Sequence, residues 1–186
     1  MLKGFARLLL WLSGWRIKGS PPEGIAKCVL ILAPHTSNWD FVIGRLVFIV
    51  YGISPKVLIK KEIFKPVLGP VLKWLGGIPV DRGRSNNMVG NLAKLFEKSE
   101  SLYLVITPEG TRKYSPNWKK GFYYIAIEAG VPIVLGYLDY KTKEGGIAEV
   151  FYPTNDFDKD FEEIQTFYRS VRAKYPEKYS LSAHER

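Results

Sequence analysis

The sequence is poor in the residues that announce a reactive or cross-linked protein: one cysteine, two histidines and two methionines among 186 residues. A lone Cys28 excludes an internal disulfide and fits a reducing compartment. No cluster of His, Cys, Asp and Glu has metal-ligand spacing, so no metal is expected. Low-complexity tracts, internal repeats and an interdomain linker are also missing. With 46% apolar and 24% charged residues, the remaining class is one folded domain with a real core.

Acidic residues are scarce in the first two-thirds. Residues 1–120 carry 19 Lys and Arg against 7 Asp and Glu, whereas residues 121–186 carry 8 against 11. A basic field of this kind favours an anionic partner: a phospholipid surface, a phosphate-bearing substrate, an acidic protein or nucleic acid. The sequence has no basic recognition helix and no aromatic pattern of a single-strand-binding sheet, so nucleic acid is not the expected partner.

The N-terminal stretch MLKGFARLLLWLSGWRIKG places Phe5, Leu8, Leu9 and Leu12 on one helical face, with Lys3, Arg7, Arg16 and Lys18 around it. Broken by Arg7 and Ser13-Gly14, it falls short of the ~20 apolar residues of a spanning helix. It also lacks a small-residue cleavage site before PPEG, which argues against a signal peptide. Residues 1–20 therefore read as an amphipathic membrane-interface helix ahead of a domain over 21–186. A helix packed on the domain's own core is the alternative.

From Cys28 onward, strand and helix patterns alternate. Strands are expected at CVLILA, PKVLIKKE, IPVD, LYLVIT, PIVLGYLD and IAEVFY. Helices are expected at FVIGRLVFIVYG, at IFKPVLGPVLKWLG (bent or broken by Pro66 and Pro70), and over Asn86–Lys98, Lys119–Ala129 and Phe157–Lys174. The pattern is that of an α/β single domain with a mostly parallel central sheet flanked by helices. Functional residues are then expected at the carboxyl ends of strands.

LILAPHTSNWD and LVITPEGTR each break from a strand into a polar loop. His35 opens the first loop and Asp40 closes it. An imidazole near neutral pH can take a proton while a carboxylate on its other nitrogen orients it, so His35 is a candidate general base with Asp40 behind it. Asp40 can equally serve the N-terminus of the next helix. The second loop gathers Glu109, Gly110, the Thr111 hydroxyl and Arg112, a set suited to phosphate because a guanidinium grips two oxygens at once. GGIPVDRGR adds Arg82 and Arg84. A solvated turn is the competing reading of each segment alone. Cys28 reads as core, Ser37 as a turn or cap residue, and His184 as part of a polar tail.

PHTSNWD, GGIPVDR, PEGTR and VPIVLG stand in the order and spacing of the four sequence blocks of the glycerolipid acyltransferases, the 1-acylglycerol-3-phosphate acyltransferase-like family, and the chain resembles that family over about residues 28–140. It departs from the usual blocks at Pro34, Thr107 and Leu135. The resemblance implies a His35–Asp40 catalytic dyad, with Arg82, Glu109, Gly110 and Arg112 serving the acceptor's phosphate. It implies acyl transfer from a thioester donor, coenzyme A or acyl carrier protein, to a lysophospholipid hydroxyl in phospholipid biosynthesis. The thioester is a co-substrate and no further cofactor is expected.

Expected partners are a membrane lipid surface, the lysophospholipid acceptor and an acyl carrier protein; the expected location is peripheral, on the cytoplasmic face. Lys56, Lys60, Lys61 and Lys65 suit an acidic carrier protein as well as a lipid surface. Another lipid hydroxyl, as in a lyso-aminolipid, and a non-catalytic membrane-binding protein are the alternatives.

Overall fold

A computed structural model describes residues 1–81 and 88–181. Seven strands form one sheet in the order β1-β7-β6-β2-β5-β3-β4. They are β1 Arg16–Lys18, β2 Lys27–Leu32, β3 Lys56–Lys60, β4 Gly77–Val80, β5 Leu102–Ile106, β6 Ile133–Asp139 and β7 Glu144–Phe151. Among the described residues only the β6–β7 hairpin is antiparallel. The helices are α1 Leu2–Leu12, α2 Asn38–Tyr51, α3 Leu68–Trp74, α4 Met88–Glu97, α5 Gly121–Ala129 and α6 Phe157–Tyr168. The expected mostly parallel α/β sheet is present.

The central position of β2, between β5 and β6, explains its continuous apolar run: Cys28 to Ile31 are fully buried, because a parallel strand covered on both faces has no polar side. Burial pushes the Cys28 thiol up to about 12, which leaves it an inert core residue.

The two faces of the sheet carry different layers. On one, Val29, Ile31, Leu104, Ile133 and Leu135 pack under α4, α5 and α6. On the other, Cys28, Leu30 and Val134 lie beneath Phe48 of α2, and α1 packs Ala6 and Leu10 against Ile43, Val47 and Val50 of the same helix. α3 joins this second layer. Val57 points into it and pairs with Gly77, and a side chain built on Gly77 would meet the Leu72 carbonyl of α3 at 2.7 Å. Glycine at 77 is therefore what lets α3 approach the sheet.

The alternative reading of the N-terminal helix, packing on the domain's own core, holds for part of its surface. A narrow stripe, Ala6 and Leu10, docks on the domain, while Leu2, Phe5, Leu8, Trp11 and Leu12 face outward. The following Arg16–Lys18 was not legible as a strand: three residues between Trp15 and Gly19, they join the sheet by pairing with β7, aided by ion pairs of Arg16 and Lys18 to Glu144. Two expected helices are shorter than their patterns. α6 stops at Tyr168, not Lys174, because the chain turns away to run as an irregular segment toward the site. The IFKPVLGPVLKWLG stretch is broken, as its prolines predict: Ile63 ends a 3-10 turn, Lys61–Ile63, and the α-helix is confined to the seven residues of α3.

The docking of α1 depends on one large side chain. Leu10→Ala is expected to lower stability by roughly 2–4 kcal/mol through the cavity it leaves, whereas Leu8→Ala on the exposed face should stay within about 0.5 kcal/mol. Equal losses in urea unfolding of the two variants would show that α1 is not seated as described.

Candidate active site

β2 and β5 are neighbours and parallel, in register from Lys27↔Leu102 to Ile31↔Ile106, so the loops that leave their carboxyl ends emerge side by side. That pairing alone brings PHTSNWD next to PEGTR. The backbone N–H of His35 donates to Glu109 Oε1 at 2.8 Å, tying the two loops together.

Asp40 is the third residue of α2. Ser37 caps that helix, its hydroxyl accepting from the Trp39 N–H at 3.1 Å, and Asp40 completes a reciprocal capping box. Oδ2 of Asp40 accepts from the N–H groups of Thr36 at 2.9 Å and Ser37 at 2.8 Å. The same oxygen lies 3.2 Å from Nδ1 of His35. Cap and orienting carboxylate, alternatives on sequence grounds, are one group. Because an ionised carboxylate only accepts, Nδ1 carries a proton, and in the neutral imidazole the lone pair is then on Nε2.

The other oxygen of Asp40 is held from the far side. Oδ1 accepts from the Tyr140 hydroxyl at 2.6 Å. Tyr140 follows β6, whose carboxyl end lies on the same edge of the sheet as that of β2. Its ring meets Trp15 edge-on, centroids 5.0 Å apart, and its N–H donates to the Arg172 carbonyl. Sequence reasoning missed Tyr140. The signal was there in its place just after a strand, the position from which the other site residues were chosen.

Two carboxyls flank His35 and are driven apart. Burial raises Asp40, but the hydrogen bonds from His35, Tyr140 and the Ser37 backbone outweigh it, and the group is held below the usual carboxylate range. Burial dominates at Glu109 and pushes it up to about 7 against the opposing hydrogen bonds from backbone N–H groups, its own and that of His35. Its second oxygen, Oε2, is buried with no hydrogen-bond donor among the described residues, which is why burial wins. Glu109 thus turns inward as a brace under the His35 loop.

In the rest of the PEGTR loop Pro108 is buried, Gly110 and Thr111 are half-buried and Arg112 is exposed. Gly110 turns the chain at φ +66°, a left-handed conformation that favours glycine, and its N–H returns to the Thr107 carbonyl at 3.0 Å. The Thr111 hydroxyl accepts from the Lys113 N–H, and the exposed Arg112 guanidinium hydrogen-bonds the Asn38 side chain, two residues before Asp40. Arg82 and Arg84 lie outside the described residues, as does His184. A cation that sequence reasoning passed over completes the rim: Lys174 Nζ lies 5.3, 5.9 and 5.7 Å from the ring centres of Trp39, Tyr140 and Tyr175. Tyr175 in turn donates its N–H to Thr36 Oγ1 at 3.2 Å. Among the described residues no three His, Cys, Asp or Glu side chains gather into a group that could hold a metal ion.

Residues 18–135 match the profile of the acyltransferase family. A human protein named 1-acyl-sn-glycerol-3-phosphate acyltransferase beta is 39% identical over 140 residues, covering 70% of this chain and 49% of its own length. A Limnanthes douglasii 1-acyl-sn-glycerol-3-phosphate acyltransferase is 27% identical over 136 residues, 68% of this chain and 46% of its own. The chain thus spans about half the length of these curated relatives. The crystal structure of the Thermotoga maritima 1-acyl-sn-glycerophosphate (LPA) acyltransferase PlsC superposes with a TM-score of 0.60 over 93% of this chain and 80% of that one, at 16% identity, which shows a common fold.

The raised Glu109 has a measurable consequence. A folded-state value of about 7 against the ordinary 4.5 means that the folded protein holds more protons between those limits. The protonated carboxyl therefore favours folding fully below about pH 4.5, and that contribution, of order 3 kcal/mol, is lost as pH rises to 7. Glu109→Gln keeps an acceptor for the His35 N–H and has nothing to titrate, so its unfolding free energy should be flatter across this window. A slope unchanged from the native chain would sink the assignment.

Proposed function

The chain belongs to the acyltransferase family, and on that premise we propose that it moves a fatty acyl group from a thioester donor to the hydroxyl of a lysophospholipid such as 1-acylglycerol-3-phosphate, a step of phospholipid biosynthesis. The observation that carries this reading is the His35–Asp40 pair, braced through both carboxylate oxygens at the carboxyl edge of the sheet.

In the proposed reaction, Nε2 of His35 takes the proton of the acceptor hydroxyl while Nδ1–H stays on Asp40. The oxygen attacks the thioester carbonyl, and the C–O bond forms as the carbonyl becomes a tetrahedral oxyanion. Collapse of that oxyanion breaks the C–S bond, and the imidazolium returns its proton to the departing thiolate. Asp40, held ionised, stabilises the imidazolium in between. A thioester is already activated, so no acyl-enzyme is needed.

For the acceptor's phosphate the reading uses Arg112 and Thr111 at the rim, Gly110 for close backbone approach, Arg82, and Lys174 as a further cation facing the same mouth. Glu109 contributes by holding the His35 loop.

The donor is coenzyme A or acyl carrier protein. The protein binds peripherally, on the cytoplasmic face of the membrane, through α1. Support comes from the exposed apolar side chains of that helix with Lys3 and Arg7 beside them, and from the absence of any helix, among the described residues, long and apolar enough to cross a bilayer.

The test is release of free thiol from acyl-coenzyme A and acyl carrier protein thioesters, with and without 1-acylglycerol-3-phosphate. Acceptor-dependent release should fall roughly 10²–10⁴-fold in His35→Ala. Release that needs no acceptor, or that survives the substitution, contradicts the reading. Tyr140→Phe, which leaves Asp40 in place but removes one of its donors, should retain acceptor dependence with kcat reduced roughly tenfold and KM little changed. A loss confined to KM would place Tyr140 in acceptor binding instead.

A further inference from the structure

The described residues with large exposed apolar side chains are not spread evenly over the molecule. Apart from Met1 and four tyrosines, all belong to α1, to the first turns of α2, or to α3 and its lead-in. These three helices form one layer, on one face of the sheet. The opposite layer, α4 to α6, contributes only Tyr124 to this set.

α3 is the unexpected part. In a crossover helix covering a sheet edge, one side should be buried and the other polar. Here only Gly69 is buried, while Ile63, Val67, Leu68, Val71 and Trp74 are all exposed, Val67 and Trp74 by more than four-fifths. Large apolar side chains exposed together along one short segment mark an interaction site.

The charges around it identify the partner. Lys60, Lys61, Lys65 and Lys73 fringe the α3 patch against a single Glu62. Lys3 and Arg7 on α1 and Arg45 on α2 give the rest of the layer the same sign. On the opposite layer, α6 carries Asp158, Asp160, Glu162 and Glu163 with one lysine. A second copy of the chain would set the lysine fringe against itself in a two-fold contact, which like-charge repulsion opposes. An anionic bilayer meets both properties at once, with lysines at the headgroups and Val67, Val71 and Trp74 in the acyl boundary.

We propose that α3 is a second lipid-contacting element, and that the protein rests on an anionic bilayer through the whole α1–α2–α3 layer. Trp39, Phe41 and Val42, exposed at the start of α2 close to His35 and Asp40 in the chain, belong to the same layer. The mouth of the site then opens at the lipid boundary, where a lysophospholipid hydroxyl and a fatty acyl chain both reside. The choice of a lipid partner rests on the peripheral binding proposed above; it does not depend on acyl transfer.

The test is binding to vesicles of phosphatidylcholine with and without phosphatidylglycerol, read by sedimentation and by quenching of tryptophan fluorescence with brominated acyl chains. The native chain, Trp11→Phe and Trp74→Phe are compared, all at exposed positions and with far-UV circular dichroism as the fold control. Each variant should lose a share of the quenchable emission. Lys61→Ala, Lys65→Ala and Lys73→Ala combined should lower partition onto phosphatidylglycerol-containing vesicles about 100-fold, at about fivefold per lysine, and Val67→Glu should lower it at least tenfold.

Quenching that is lost in Trp11→Phe and intact in Trp74→Phe would confine docking to α1 and overturn the proposal. Self-association abolished by Val67→Glu would overturn it in favour of a second copy, and binding of acyl carrier protein abolished by the same change would overturn it in favour of that partner. Absence of vesicle binding alongside acceptor-dependent thiol release would overturn it while leaving the acyl-transfer reading intact.

Discussion

The carboxylate of Asp40 is the contact on which the site depends. It accepts from two backbone N–H groups, a tyrosine hydroxyl and an imidazole N–H, and it closes the capping box that starts α2. A buried carboxylate is costly unless its lone pairs are used, and here both oxygens are engaged. The same group therefore starts the helix, shapes the turn from β2 and sets the imidazole. Folding of the loop and orientation of His35 are one event.

Around that contact the sheet supplies placement. β2 and β5 are adjacent and parallel, which sets the His35 loop beside the Glu109 loop, and β6 on the other side delivers Tyr140 to the same edge. The two helical layers then divide the remaining tasks. α4, α5 and α6 close an aromatic core in which Trp118 and Tyr168 anchor the chain, the Tyr168 hydroxyl donating to the Gly136 carbonyl and the Trp118 ring N–H to that of Ser180. The α1–α2–α3 layer leaves its outer apolar side chains uncovered, with Lys3, Arg7, Arg45, Lys61, Lys65 and Lys73 among them in the sequence. Membership of the acyltransferase family accounts for the sheet; the uncovered layer is the feature on which the proposed lipid contact rests.

Much of this was legible in the residues. Continuous apolar runs such as CVLILA and PIVLGYLD betray strands buried on both faces, and the His35 and Glu109 loops follow from the rule that function gathers at strand ends. β1 was not legible, because Arg16-Ile17-Lys18 has no strand signal of its own and exists through pairing with β7. α6 ran past its true end, because a periodic pattern does not reveal where the chain leaves a helix to cross the site. The inward turn of Glu109 and the positions of Tyr140 and Lys174 are tertiary facts: each depends on a contact between residues 74 or more positions apart.

The central claim is that Asp40 fixes His35 with the proton on Nδ1 and the lone pair of Nε2 free for a hydroxyl. Nitrogen-15 NMR of the imidazole reads this directly, and with only His35 and His184 present, His184→Gln leaves a single signal to assign. The account predicts a neutral Nδ1–H tautomer that is lost in Asp40→Asn. An Nε2–H tautomer in the native chain, or a tautomer indifferent to Asp40, would contradict it.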